Sequence, residues 1–159
     1  MNIHTQNPNY PFHISVGAVV LNSKKQVALQ YFKHNAGHDN VYYLMRESLQ
    51  DNNTIEQTLA NGLMKEMGIT AQIRHFVGSR VTNFLDSDGN EITKTTIYYL
   101  CDLVSIDESQ KDPENPEGVS EVKFFDIDEA IKITQEQLKR TNYLDICEFD
   151  ILQNVAKLV

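Results

Sequence analysis

Glu66 and its neighbour Lys65 are side chains of this sequence that could do chemistry at one place. A helix-borne carboxylate can ligate a hard divalent cation or act as a base. An ammonium beside it would repel such a cation but can contact a phosphate directly. Each also has a plain reading: Glu66 as a helix-surface glutamate, and Lys65 as a solvated lysine paired with Glu66 or Glu47. His34 and His38, with Asp39, have the i, i+4 spacing that suits a metal when it falls on a helix. They flank Asn35-Ala36-Gly37, however, which reads as a loop without metal chemistry. Tyr42 and Tyr43 can line a base-stacking pocket or pack a strand core. Tyr98 and Tyr99 alternate across a strand and read as structural. Cys101 and Cys147 form no spacing motif and read as buried thiols.

The elements that must position these groups follow from periodicity. Residues 1–12, with Pro8 and Pro11, read as an extended lead-in, and 13–159 as one domain. His13 to Leu21 and Val27 to Phe32 are β-rich and flank the turn Asn22-Ser23-Lys24-Lys25, so they predict a hairpin. His34 to Asn40 reads as a loop and Val41 to Met45 as a short apolar run. Thr54 followed by Gln57 fits a capping box. Ile55, Leu59, Leu63 and Met67 then recur every four residues, and Gly68 ends the predicted helix. Strands are expected over Ile69–Val77, Arg80–Leu85, Ile92–Val104 and Val119–Ile127, the last followed by a short helix capped by Asp128. Ser105 to Gly118, with its prolines and acids, reads as a solvated loop within the domain. A final helix would place Leu144, Cys147, Ile151, Val155 and Leu158 on one face. Mixed strands with these helices predict an α+β domain layered α/β/α.

The totals exclude several classes. The 159 residues suffice for one hydrophobic core, and 41% hydrophobic with 23% charged residues is a globular composition. Acids outnumber bases 22 to 14, giving a net charge of −8. Nucleic-acid backbone binding needs the opposite balance, so it is not expected. No apolar run is long enough for a membrane-spanning helix. The N-terminal residues lack a signal-peptide pattern, and with two unpatterned cysteines the expected compartment is the cytoplasm.

Several stretches, taken in order, resemble the Nudix hydrolases. Ser15-Val16-Gly17-Ala18-Val19-Val20 is similar to the family's first strand, and Tyr42-Tyr43-Leu44 to the lead-in of its signature loop. Glu66-Met67-Gly68-Ile69 is similar to the end of its signature helix, and Glu121 to Glu129 to its late strand and helix entry. The resemblance runs from His13 to Leu158 and implies the Nudix fold, a mixed sheet between helices. The family signature is G-x5-E-x7-R-E-U-x-E-E-x-G-U, with U a bulky aliphatic. Anchored on Glu66, Gly68 and Ile69 it runs without insertion, and Leu63 takes the first aliphatic position. Elsewhere this chain departs. The opening glycine is Glu47, the first glutamate Asn53, the arginine Asn61, the next glutamate Gly62 and the penultimate glutamate Lys65. Arg46 and Glu47 stand where the family's lead-in has its Gly-Gly.

In the family, glutamates at positions 62, 65 and 66 would share one helical face and gather Mg²⁺ or Mn²⁺, which activate water for attack on a diphosphate. Here the trio is Gly62, Lys65 and Glu66, so the resemblance implies a standard metal site largely lost. Gly62 costs the helix about 1 kcal/mol relative to alanine, which marks either a close approach of backbone or ligand, or drift. The expectation is a Nudix-fold protein that binds a nucleotide or other diphosphate-containing metabolite without efficient hydrolysis. Glu66 is the candidate catalytic residue, Glu66 and Glu121 the candidate metal ligands, and Lys65, Glu47, Arg46 and Tyr42 the candidate ligand contacts. Glu47, Glu117 and Glu121 lie in segments that could supply carboxylates from outside the signature. One alternative is accordingly a divergent hydrolase of a nucleoside diphosphate linked to another moiety, using Mg²⁺ or Mn²⁺. Another is a non-catalytic interaction or oligomerisation module, a homodimer being common in the family.

Overall fold

The structure, a computed structural model, describes residues 12–35, 37–50, 52–86 and 88–159, without the side chains of residues 117 and 118. Seven strands build a mixed sheet: β1 (Phe12–Leu21), β2 (Val27–Asn35), β3 (His38–Tyr43), β4 (Met45–Ser48), β5 (Ile69–Leu85), β6 (Glu91–Ile106) and β7 (Glu121–Phe125). The main path runs β3-β2-β1-β6-β5, with β4 paired to β1 and β7 to β2. Among the described residues, only β1 and β6 are parallel neighbours.

Alternation along β1 explains the layers. Val16, Ala18 and Val20 project to one side and pack with Leu59, Leu63 and Met67 of the mid-chain helical segment. Val19 and Leu21 project to the other and pack with Ala130, Ile151, Leu152 and Val155. Those residues belong to α2 (Ile127–Thr141) and α3 (Phe149–Ala156), and the mid-chain segment begins as α1 (Ile55–Gly62). The expected α/β/α layering is therefore present.

The N-terminus of α1 forms as its capping box predicts: Thr54 Oγ1 accepts from the Gln57 amide while Gln57 Oε1 accepts from the Thr54 amide. Past Gly62 the segment widens into a π-helical turn, Leu63–Met67, closed by Gly68 at φ 64°.

Five local expectations are revised. The stretch His34 to Asn40 is a hairpin, not a loop: Asn35 faces His38 and His34 faces Asp39 across β2 and β3. Ile69–Val77 and Arg80–Leu85 are one strand, because the Gly78-Ser79 break is absorbed as a register shift between Phe76 and Gly78. Val119–Ile127 shortens to β7, Glu121–Phe125, with Val119 in a 3₁₀ turn and Ile127 already helical. The helix after β7 starts beyond Asp126 and runs fifteen residues, its buried positions including the polar Thr134 and Gln137. The last helix is broken, with a 3₁₀ turn at Leu144–Ile146 before α3, which leaves Leu144 and Leu158 exposed.

Candidate functional site

The sheet itself opens the cleft. β1 and β2 are in register at Leu21 and Val27. β1 takes β4 on that side from Ser15 to Ala18, while β2 takes β3 and β7. Between the splayed halves lies a cleft of about 210 Å³. Gln30 and Phe32 of β2, Tyr43 of β3, Arg46 of β4, Lys94 of β6 and Glu66 of the π turn all line it. The segment before α3 closes one end with Tyr143, Asp145 and Ile146.

Glu66 is only 4% exposed, and its Oε2 accepts a hydrogen bond from Gln30 Nε2 at 3.0 Å. Lys65 faces elsewhere. Its Nζ lies 3.0 Å from Glu47 Oε2, in a separate depression shared with Asn61, Asn53 and Met64. The hydrogen bond to Glu47 outweighs the effect of burial and holds the Lys65 ammonium above its ordinary pKa. Gly62 explains how β4 can lie so near: a Cβ there would stand 2.7 Å from Glu47 Cβ and 2.8 Å from Met45 Sδ. The glycine thus leaves room for the Glu47 and Met45 side chains of β4. The two departures face each other, since position 47 carries a side chain where the signature has glycine, and position 62 has none where it has glutamate.

Arg46 enters the cleft wall with Nη1 and Nε turned toward acidic residues. Nη1 donates to the Asp145 carbonyl at 3.1 Å and to Asp145 Oδ1 at 3.2 Å, and Nε lies 3.5 Å from Glu148 Oε1. Burial disfavours the guanidinium charge, but Glu148 and Asp145 more than offset it, so the group stays a cation. Glu148 is fully buried, and its carboxylate accepts from Tyr98 Oη and from the Leu44 amide, each at 2.8 Å. Burial raises its pKa, against the lowering by Arg46 and by these donors. One buried carboxylate thus ties α3 to β4 and β6 and fixes the cleft wall.

The remaining expected residues lie apart from the cleft lining. Tyr42 alternates away from Tyr43, its ring against Tyr31 and Phe125 and its backbone bonded to Gln137. Glu121 pairs in register with Tyr31 and lies 3.6 Å from Lys123 Nζ, exposed on the outer side of β7. The Glu117 side chain lies outside the described residues. His34 Nδ1 bonds Asp39 Oδ1 at 2.7 Å in the open, and the His38 ring stands against Tyr143. Cys101 and Cys147 are buried free thiols, as expected.

A family model, the NUDIX domain, matches residues 11–145. The chain belongs to the Nudix family. Among solved structures it is similar to a NUDIX hydrolase from Nitrosomonas europaea, at 17% identity and a TM-score of 0.57 over 77% of this chain and 78% of that one. It is also similar to the E. coli ORF135 protein, at 13% identity and 0.58 over 97% and 95%. A MutT NUDIX hydrolase from Burkholderia pseudomallei follows at 15% and 0.54 over 75% and 86%. At such identities these structures show a shared fold. Among curated proteins, none matches this sequence. No helix among the described residues is long and apolar enough to cross a membrane.

The family's divalent metal makes a clear demand on a Nudix domain, and the described side chains near the helix offer it little. The helix face offers one carboxylate, Glu66, buried and bonded to an amide, and the nearby Glu47 is held by an ammonium. Among the described residues, no group of three or more His, Cys, Asp or Glu side chains is placed to hold a metal ion. A hard cation needs several oxygen ligands free to turn toward it.

Proposed function

We propose that this Nudix domain binds a phosphate-bearing metabolite, a nucleotide or another diphosphate-containing compound, in the cleft between β2 and β4 and does not hydrolyse it efficiently. The observation that carries the reading is the pairing of an open, polar cleft with a signature face already neutralised from within. Lys65 supplies to Glu47 the positive charge that a carboxylate would otherwise draw from a cation. The cleft keeps what a ligand needs: cations at Arg46 and Lys94, and aromatic walls at Phe32, Tyr43 and Tyr143. Glu66 and Arg46 are its residues among those expected from sequence. Tyr42 and Glu121 take no part in the cleft as described, and Lys65 and Glu47 act beside it. The same reading sets the protein in the cytoplasm, where free buried thiols persist.

A phosphate-release screen tests this. Nucleoside triphosphates, dinucleoside polyphosphates, nucleotide sugars and dinucleotide cofactors would be incubated with Mg²⁺ or Mn²⁺ and a coupled phosphatase, beside the Glu66→Gln protein. No turnover above that control is expected. Metal-dependent turnover that disappears in Glu66→Gln would instead establish a divergent hydrolase using Glu66.

A further inference from the structure

Arg46 turns Nη1 and Nε to Asp145 and Glu148, whereas no hydrogen bond among the described residues holds the Lys94 side chain. Lys94 lines the cleft from β6, partly buried. Asp145, Glu148 and Glu47 act on its ammonium through space, and among the described residues none of them hydrogen-bonds it. Burial, and then the neighbouring Arg46, lower its pKa from the ordinary lysine value. Withdrawing an ammonium from water without a bonded partner is costly, and an arriving anion would remove that cost.

Two open hydroxyls stand with it. Tyr43 is 7% exposed and lines the same cleft, and its buried Oη has no hydrogen-bond partner among the described residues. Thr82 is the cross-strand neighbour of Lys94 in the β5–β6 ladder, and its buried Oγ1 is likewise unmatched. Buried hydroxyls are ordinarily bonded, so such a grouping calls for an explanation. The Asp145 carboxylate at the cleft end is occupied by Arg46, which limits its repulsion of an anion.

We infer that Lys94, with the Tyr43 hydroxyl, is the phosphate-gripping subsite of this cleft, reached without metal. The inference rests on the binding function proposed above and adds where the anionic group sits. A compact phosphate oxygen takes an N–H from the ammonium and the O–H from the phenol. Both donors are present before the ligand arrives, so no cation has to be recruited.

Pyrophosphate is the probe, titrated calorimetrically in EDTA into the wild type, Lys94→Met, Lys94→Arg, Tyr43→Phe and, as a surface control, Lys132→Met. Lys94→Met is expected to weaken pyrophosphate at least tenfold and Tyr43→Phe severalfold, with Lys94→Arg retaining most of the affinity and Lys132→Met all of it. Thermal denaturation of each variant reports its fold. If Lys94→Met is unfolded, Tyr43→Phe and Lys94→Arg decide. Unchanged affinity in folded Lys94→Met and Tyr43→Phe would overturn the subsite while leaving the binding function standing. So would a wild type that binds a nucleotide of the screening panel but no pyrophosphate. A wild type that binds neither would overturn both.

Discussion

Helix propensity and packing make opposite predictions for Gly62→Ala. Removing a glycine from a helix favours folding by about 1 kcal/mol. The new Cβ, however, would stand 2.7 Å from Glu47 Cβ and 2.8 Å from Met45 Sδ, about 1 Å inside an ordinary carbon contact. Met45 is enclosed in the core, and Glu47 Cβ is fixed to a backbone in register with Val16. Overpacking of this kind costs roughly 1–3 kcal/mol. Gly62→Ala should therefore destabilise by about 0–2 kcal/mol, or a few degrees in Tm for a domain of this size, at roughly 2–4 °C per kcal/mol. Glu47→Gly removes the rigid half of the obstruction and leaves the thioether free to adjust. In that background Gly62→Ala should become neutral or stabilising, so the two sites should couple by about 1 kcal/mol or more. Urea denaturation of the four proteins of the cycle measures this. Stabilisation by Gly62→Ala alone, with no coupling to position 47, would refute the account of how β4 closes over the signature helix.

Glu148→Ala leaves the Arg46 guanidinium short of a buried partner and should cost about 3–5 kcal/mol in urea denaturation; a loss below ~1 kcal/mol would show that Asp145 alone suffices. Burial raises the Glu148 pKa, so the folded state binds the extra proton, and the stability this adds is complete below the ordinary glutamate pKa. As pH rises through the folded pKa, the wild type should lose stability relative to Glu148→Gln, and a flat difference would contradict it. Lys94 has the opposite sign: its folded pKa is depressed, so the unfolded chain binds the extra proton. Wild-type stability should rise relative to Lys94→Met as pH climbs through the folded pKa toward the ordinary lysine value, ~10.4. Gly68→Ala forces a side chain into the left-handed region and against the Asp107 carbonyl, which should cost at least ~2 kcal/mol; an unchanged thermal midpoint would count against that closure.

Local signals were readable where they were complete in themselves. Thr54, Gln57 and the four-residue recurrence of Ile55, Leu59, Leu63 and Met67 mark α1, because cap and apolar stripe are neighbours in sequence. The π turn after Gly62 leaves no such trace, since the apolar recurrence at Leu63 and Met67 continues through it unchanged. α2 is longer than its pattern suggests because Thr134 and Gln137 fill buried positions, Gln137 by bonding the Tyr42 and Ile146 backbones. The cleft was half legible. Glu66 and Arg46 came from the signature register; of Tyr42 and Tyr43, both read as possible pocket walls, strand alternation turns Tyr43 to the cleft and Tyr42 toward Tyr31 and Phe125. Glu148 and Lys94 passed unnoticed. A lone acid between Cys147 and Phe149, and a lone base in the β6 strand pattern, were the only hints; their partners lie about fifty or more residues away along the chain.

Binding with and without metal tests the central claim most directly. The same panel of nucleotides, dinucleotides and nucleotide sugars would be titrated into the wild-type protein in EDTA and again in Mg²⁺, with products examined after each titration. The account predicts a ligand that binds with similar affinity in both and is recovered intact. Binding that requires Mg²⁺, with cleaved diphosphate recovered from the wild type but not from Glu66→Gln, would contradict it.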